Sequence, residues 1–497
     1  MNTKKIFKTV FSLSGIILVG KVLGFLKQLI TASAFGATME TDIINLSINF
    51  VANTEYIIAQ TMITAFVAVY IDVSVRDGGR GKVLLADTLK LLTIALVVLI
   101  GGLELLAGPI ARLIAPSYTG ENLARLTHYL QLCLPMVILF TWTAIFHAVL
   151  NAKEMFVPGQ MLSINQSIIV IAVVVLLGPV LGAKAICVGF ILYVLWNTLF
   201  LGYFTRRDLS LRRENPLKNP DELRLLKMML PLLVGYGMIF INQQVDKIIV
   251  SGMAEGTVTA MSYSSVLSQL VCTLITSVCT VLFTHIAKKQ AENDMGTAAT
   301  LTSNSAVILV SVFLPVSILT VIFSSDIVSI VYERGAFASH AVSSAGEALM
   351  GYGFCFVHYA LKNLYNKFEY GLQNTKAPMT NATIGIGFNI AMSLLLYRPL
   401  GVLGVTLASS MAELLTAVLN IVYSVRRTRE LKMEGLAGRV LLWLAAGAVC
   451  VGVGLAGRTL LADTIPLVRF IVSTLVAMAA YGAIVGPVVY RLMKKNA

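Results

Sequence analysis

The chain has 497 residues, of which 57% are hydrophobic and only 13% are charged, and its mean hydropathy is +0.82. Soluble domains contain about 45–50% apolar and about 25% charged residues, so this composition excludes a soluble protein and predicts an all-α polytopic membrane protein. The formal net charge of +13 does not indicate nucleic-acid binding, because the basic residues are scattered between apolar segments and form no basic stripe or binding-fold signature.

Apolar segments follow one another along nearly the whole chain. A span needs about 20 apolar residues, and the hydropathy predicts about fourteen transmembrane helices. Most connections are short, so no loop can hold a globular catalytic domain and the function must lie among the spans. Lys and Arg are concentrated in the two termini and in alternate connections. This positive-inside asymmetry predicts that both termini are cytoplasmic.

Span one carries two lysines, Lys21 and Lys27, in an apolar segment. An ionisable group at the bilayer centre costs at least about 2.5–3.5 kcal/mol on insertion scales, so it normally faces a cavity or a partner. We expect both ammonium groups to point into a central cavity and to bind a phosphate or diphosphate as point charges, helped by a bend at Gly24. The alternative is snorkelling to the surface, or pairing with Asp42 or Glu55 of span two. We also predict that Asp42 and Glu55 belong to the substrate-binding residues.

Two halves of the chain share a proline pattern. Pro158 and Pro179 are repeated as Pro378 and Pro399, each 220 positions later. We interpret the pattern as two six-span repeats followed by two extra spans, although prolines at span ends also recur by chance. The predicted segments are a first lobe (1–220, spans 1–6), a second lobe (221–430, spans 7–12) and a C-terminal pair (431–497, spans 13–14). An even number of spans per repeat makes the repeats parallel, and such transporters bind substrate near the midplane between two lobes around a central cavity.

Span seven contains an oxygen-rich segment that ends at Asp246. Carboxylate, amide and carbonyl oxygens are the ligands that a hard cation prefers. Candidate ligands from spans eleven and twelve are Asn389, Ser393, the carbonyl group of Val405, and Ser409. These residues predict a possible sodium site; the alternative is that Asp246 pairs with Lys247 or another neighbour.

Span ten carries polar residues at helical spacing. His358, Lys362, Tyr365 and Glu369 are separated by four, three and four positions, so they share one helical face. We expect this stripe to line the cavity, and we include His358 and Lys362 among the substrate-binding residues. Solvation of Lys362 and Glu369 at the cytoplasmic end of the span is the alternative.

Three segments resemble the MurJ (MviN) family of lipid II flippases, within the superfamily of multidrug, oligosaccharidyl-lipid and polysaccharide exporters. They are residues 21–27 (KVLGFLK) with 34–37 (AFGA) and 41–42, residues 334–337 (RGAF), and residues 370–378 (YGLQNTKAP). The resemblance implies a cationic central cavity for a lipid diphosphate and a groove for the polyprenyl tail at the last two spans. It also implies a sodium site on spans seven, eleven and twelve, where Asp246, Asn389, Val405 and Ser409 fall in matching places.

The chain departs from the family at its basic positions. Lysine replaces arginine at residues 21 and 27, Glu55 aligns with an arginine of span two, and an arginine of span eight falls near Val266. Lysine lacks the bidentate phosphate contacts of arginine. The predicted function is a flippase that moves lipid II by alternating access for peptidoglycan synthesis. The alternatives are a flippase for another lipid-linked polysaccharide unit, or a small-molecule exporter of the multidrug type.

The sequence favours a transporter over an enzyme. Membrane enzymes need carboxylates or histidines clustered at a membrane face, and the five histidines are dispersed. A non-transporting scaffold that keeps the fold is a further alternative, because two basic positions are missing. We expect no cofactor beyond sodium as a possible coupling ion, no nucleic-acid partner, and a monomer in the bacterial cytoplasmic membrane whose partners are the lipid-linked glycan and membrane lipids.

Overall fold

The computed structural model describes residues 3–209, 219–337, 339–431 and 436–496. Within these ranges all regular structure is helical, which confirms the all-α prediction. The helices are α1 (Thr3–Phe35), α2 (Met39–Thr61), α3 (Val67–Arg76), α4 (Gly78–Leu105), α5 (Ala107–Ile114), α6 (Gly120–Cys133), α7 (Met136–Ala152), α8 (Phe156–Leu181), α9 (Lys184–Thr205), α10 (Pro220–Ser251), α11 (Thr257–Ala291), α12 (Met295–Ile322), α13 (Ser324–Tyr332), α14 (Ser339–Gly353), α15 (Phe356–Gly371), α16 (Lys376–Arg427), α17 (Leu436–Leu460) and α18 (Pro466–Asn496). A π-helical turn, Met62–Phe66, joins α2 to α3.

Twelve helical segments in the described ranges are long and apolar enough to cross a membrane. Two features account for the difference from the predicted number of about fourteen. Span ten is divided into α14 and α15, each too short to qualify alone. Spans eleven and twelve run together as α16, which contains a non-helical residue, Gly401, with φ 57° and ψ −138°. The multi-pass membrane fold is confirmed, and the number fourteen stays a prediction.

Proline and glycine end equivalent spans in the two predicted repeats. Pro179 precedes Gly182, which ends α8 with φ 61° and ψ −147°. Pro399 precedes Gly401, which breaks α16 with nearly the same angles. Positive φ is readily adopted only by glycine, and proline removes a helical hydrogen bond. The local structure supports the proposed duplication, which itself stays a prediction.

The chain divides into two compact units. The first consists of Met1–Thr259 together with Arg334–Phe337, and the second consists of Ala260–Glu333 and Ala338–Ala497. Helix α10 therefore packs with the first unit, whereas the predicted second lobe begins at residue 221. Packing and sequence repetition are different criteria, so the lobe limits 1–220, 221–430 and 431–497 stay predictions.

Each unit has its own apolar core. In the first unit, Met62, Phe66 and Ile145 are fully buried among α2, α7 and α10. In the second, Phe356 and Phe368 of α15 are buried against α11 and α12. Helices α17 and α18 pack on α12 through a separate apolar cluster. These cores fix the helices that carry the polar residues described next.

Candidate functional site

Lys21 and Lys27 lie on α1 of the first unit. Lys21 is exposed and Lys27 is partly buried. Neither ammonium group forms an ion pair or hydrogen bond with any residue that the structure describes, so the expected alternative of pairing with Asp42 or Glu55 is not observed. The role of both lysines in substrate binding stays a prediction.

The same helix packs closely against α8 through glycine. A Cβ atom added at Gly20 would overlap the hydroxyl group of Ser163, and one at Gly24 would lie 3.9 Å from the Ser167 hydroxyl. Helix α1 continues through Gly24 without interruption. Gly24 therefore belongs to the face that approaches α8, and the structure shows no break there that would bring the two lysines together.

Asp42 is buried near the beginning of α2, with 2% of its surface exposed. One carboxylate oxygen accepts a hydrogen bond from the backbone N–H of Gly256 at 2.8 Å, and the other accepts one from the N–H of Thr259 at 2.8 Å. Asp42 thus caps the N-terminus of α11, where the helix dipole favours negative charge. A role in substrate binding stays a prediction, and it would compete with this structural contact.

Glu55 lies thirteen residues after Asp42 on the same helix, α2. Its side chain is partly buried, and it makes no ion pair or hydrogen bond to another described residue. An unpaired carboxylate in a membrane span is expensive and normally faces water or a substrate. Its placement in the predicted site is therefore chemically reasonable and stays a prediction.

Three turns of the first unit meet at the end of α1, in an arrangement that we call the glycine junction. Its members are Gly36 after α1, Gly256 before α11 and Gly335 in the loop before α14, with φ values of 64°, 81° and 62°. A Cβ atom at any of these positions would overlap the carbonyl oxygen of another turn. The backbone N–H of Ala336 also donates to the carbonyl of Ser33 at 2.8 Å. The motifs at 34–37 and 334–337 are thus explained by a close backbone contact that requires glycine.

In the second unit, Lys362 of α15 is paired with a carboxylate that the sequence analysis did not assign to the site. Its ammonium nitrogen lies 2.7 Å and 2.6 Å from the two carboxylate oxygens of Glu413 in α16 and 4.9 Å from the centre of the Tyr359 ring. His358 lies one turn earlier on the same helix and is partly buried. The charge of Lys362 is therefore compensated by Glu413, and both side chains are only partly exposed.

The expectation that the whole stripe on span ten lines a cavity is wrong for its second half. Tyr365 is 4% exposed and Glu369 is 1% exposed. Glu369 accepts hydrogen bonds from Ser424 at 2.7 Å and from Arg427 at 3.2 Å. This part of the face packs against α16 and the core instead, because the helix spacing defines a face but not its neighbour. The alternative of a solvated Glu369 is wrong for the same reason.

Helix α11 carries a polar stripe that the sequence analysis missed. Thr273, Ser277, Thr280 and Thr284 are separated by four, three and four positions, and all but the partly buried Thr273 are exposed. Each hydroxyl donates to a carbonyl of its own helix, which makes such residues acceptable in a membrane span. The ammonium group of Lys367 donates to the Thr280 hydroxyl at 3.0 Å. The spacing rule applied to span ten would have found this stripe.

Three of the predicted sodium ligands lie together in the second unit. The Asn389 amide nitrogen donates to the Ser409 hydroxyl at 3.1 Å, and that hydroxyl lies 3.4 Å from the Val405 carbonyl oxygen. The Asn389 carbonyl oxygen is buried and has no hydrogen-bond partner, as expected for an oxygen that coordinates a cation. Asp246 lies on α10, in the first unit. The donor atoms fit sodium, and the site stays a prediction.

Comparison with known proteins agrees with the fold and the motifs. The model of the family described as lipid II flippase MurJ matches residues 31–480. A probable lipid II flippase MurJ of Rickettsia prowazekii is 24% identical over 80% of this chain and 81% of its own length. Another from Rhizobium tropici is 24% identical over 98% and 96%.

Solved structures show the same architecture. A lipid II flippase MurJ in an inward closed conformation matches with a TM-score of 0.79 and 20% identity, over 96% of this chain and 100% of that chain. An inward-facing multidrug resistance MATE family transporter matches with a TM-score of 0.59 and 15% identity, over 86% and 96%. At these identities the likeness establishes the fold alone. Since the family model extends over nearly the whole sequence, the chain belongs to the lipid II flippase MurJ family.

Proposed function

We propose that this protein moves lipid II from the inner to the outer leaflet of the bacterial cytoplasmic membrane, and so supplies peptidoglycan synthesis. Membership of the family supports the substrate. The observation that carries the proposal for this chain is the pair of lysines on α1, Lys21 and Lys27, which have no carboxylate partner among the described residues. Translocation breaks no covalent bond, so the protein is a transporter and not an enzyme.

The diphosphate of the lipid is the group that the two lysines bind. Each ammonium group is a compact point charge, and two of them offset much of the diphosphate charge while the headgroup leaves water. The polyprenyl tail stays in the bilayer, and α17 and α18 supply the groove beside it. Asp326, which is 3% exposed, holds this pair in place through an ion pair with Arg469 of α18.

Alternating access requires the end that contains the glycine junction to open. The N-terminal side of α2 is held to the turn before α11 by the Asp42 contacts and by the Met39 N–H, which donates to Glu255 at 2.7 Å. With both termini cytoplasmic, this end is periplasmic. Release of the headgroup then breaks these contacts, and their re-formation closes the outer side again.

Sodium is the proposed coupling ion, bound by Asp246, Asn389, Val405 and Ser409. The unpartnered carbonyl oxygen of Asn389 supports the assignment. When bound, sodium would supply one positive charge beside the Asp246 carboxylate. Lipid II, membrane lipids and sodium are the only partners proposed, and the working unit is a monomer.

The likeness to a multidrug MATE transporter does not extend to the charged residues on the first helix. Two uncompensated ammonium groups disfavour a cationic drug and favour an anion. A flippase for a different lipid-linked polysaccharide unit would use the same lysines. It is distinguished from the proposal by the growth experiment that follows.

The test is rescue of a bacterium depleted of its own lipid II flippase. We expect this chain to sustain growth, and we expect Lys21→Ala and Lys27→Ala each to abolish rescue, because each removes a charge that binds the diphosphate. Lys90→Ala removes an exposed lysine of α4 and serves as the matched control that retains rescue. The double variant Lys21→Arg/Lys27→Arg retains charge and is expected to rescue.

Two results would contradict the proposal. Absence of rescue by a well-expressed parent chain would point to another lipid-linked glycan or to a non-transporting scaffold. Full rescue by both alanine variants would show that the two lysines are not needed to bind the substrate.

A further inference from the structure

One wall of the second unit carries a row of polar side chains. It is formed by the hydroxyl stripe of α11 and by Lys367 of α15, and we call it the hydroxyl wall. Exposed hydroxyl groups on a helix that is apolar enough to cross a membrane gain nothing from contact with lipid tails. An ionisable residue within a span, such as Lys367, normally faces a water-filled cavity or a partner. The wall is therefore placed to meet a hydrophilic group.

The position of Lys367 on this wall is fixed by packing. Helices α11 and α15 lie side by side, and the Gln290 amide donates to the Phe368 carbonyl at 3.1 Å. The Lys367 ammonium donates to the Thr280 hydroxyl and lies 5.6 Å from the centre of the Phe283 ring. These contacts direct the side chain along α11.

Lys367 has no carboxylate within ion-pair distance among the described residues, whereas the two nearest charged residues on α15 are both paired. Lys362 is neutralised by Glu413, and Glu369 is turned into the protein toward Arg427. The wall consequently presents one uncompensated positive charge. An ammonium group has three donors, of which Thr280 uses one, so two remain for an incoming anion.

We infer that Lys367, positioned by Thr280, binds a carboxylate of the peptide part of the substrate headgroup. One ammonium group beside neutral hydroxyls matches a single carboxylate, whereas a diphosphate needs more than one cation. The remaining hydroxyls of the stripe suit the amide and sugar groups next to the carboxylate. The inference rests on the proposed function, because lipid II carries peptide carboxylates in addition to its diphosphate.

The test measures the binding affinity of two ligands for the parent chain and for a variant, with the full chain in nanodiscs. The ligands are native lipid II and lipid II whose peptide carboxylates have been converted to amides. We expect Lys367→Gln to weaken binding of native lipid II about tenfold, the size of a lost charged hydrogen bond, and to leave binding of the amidated ligand unchanged. Amidation should weaken binding to the parent chain by the same factor, because the two changes remove the same interaction.

Two further variants separate a specific contact from a general effect. Lys288→Gln removes an exposed lysine in the last turn of α11 and should change neither affinity. Thr280→Val keeps the charge of Lys367 but removes the hydroxyl that positions it. It should weaken native lipid II by a smaller factor and spare the amidated ligand.

The outcomes are distinct. Equal weakening of both ligands by Lys367→Gln, or no weakening of either, overturns the inference while the proposed function stands. If the parent chain binds neither ligand, the proposed function itself fails. Should Lys367→Gln not fold, Thr280→Val decides: loss confined to native lipid II supports the inference, and equal affinities for the parent and this variant overturn it.

Discussion

At the scale of single residues, the lysines of the spans differ in whether a carboxylate lies beside them. Lys362 is paired with Glu413, whereas Lys21, Lys27 and Lys367 have no such partner among the residues described. A buried pair is held by mutual attraction and by the cost of separating it. An unpaired ammonium group has no carboxylate to release before it binds an anionic ligand. The unpaired lysines are therefore the stronger candidates for binding an anionic headgroup.

Asp42 gives a prediction about stability at the same scale. We expect Asp42→Asn to lower the free energy of unfolding by about 1.5–3 kcal/mol, because an amide cannot accept from both backbone N–H groups as a carboxylate does. The measurement is the unfolding temperature of the purified protein in detergent. Glu40→Gln, in the same first turn of α2, is the matched control and should have little effect. Equal unfolding temperatures for Asp42→Asn and the parent would show that the cap contributes nothing.

At the scale of elements, backbone conformation at the turns decides which helix ends can touch. Gly36 and Gly256 occupy equivalent turns of the two predicted repeats, 220 positions apart, and both have positive φ. Gly36 lies so close to the Ala336 carbonyl, and Gly256 so close to the Ala37 carbonyl, that neither position has room for a side chain. A repeated glycine turn thus provides the contact surface of the glycine junction.

Replacing one of these glycines should loosen the junction. We expect Gly256→Ala to destabilise the protein by at least about 1–2 kcal/mol, because alanine is strained at positive φ and its Cβ atom would overlap the Ala37 carbonyl. Gly252→Ala, in the preceding turn, is the matched control: Gly252 has φ −82°, and the nearest atom to an added Cβ is 3.4 Å away. Thermal unfolding of both variants checks the prediction, which fails if the two substitutions are equally tolerated.

At the scale of the whole molecule, the predicted sodium ligands come from segments that are distant in the sequence. Asn389, Val405 and Ser409 belong to the second unit and Asp246 to the first. An ion bound by such residues couples its own binding to the conformation of the carrier, since it stabilises only the state in which all ligands are in reach.

Sodium dependence can be measured in proteoliposomes. We expect lipid II translocation to be several-fold faster with sodium than with potassium, and we expect Asp246→Asn and Asn389→Ala to remove the difference, because each deletes an oxygen ligand or its charge. Asn363→Ala, which alters an amide that donates to the Tyr359 carbonyl, should keep the sodium effect. Equal rates in the two salts for the parent chain would exclude sodium as the coupling ion.

The sequence by itself determined the membrane fold, the helical class and the family. Hydrophobic length and the positions of glycine and proline are local properties, and they dictate helices in a bilayer whatever the neighbours are. Charged residues within spans were also identifiable, because their cost in lipid does not depend on the detailed packing.

Only the tertiary structure decided what each polar residue contacts. Helical spacing placed Lys362 and Glu369 on one face, yet one pairs with Glu413 of another helix and the other is buried against Arg427. The same applies to Asp42, whose partners lie more than two hundred residues away in the sequence. The helical period of a sequence specifies only the direction in which a side chain points from its own helix. Its contact depends on which other helix lies in that direction, and that is determined by packing between segments that are distant in the sequence.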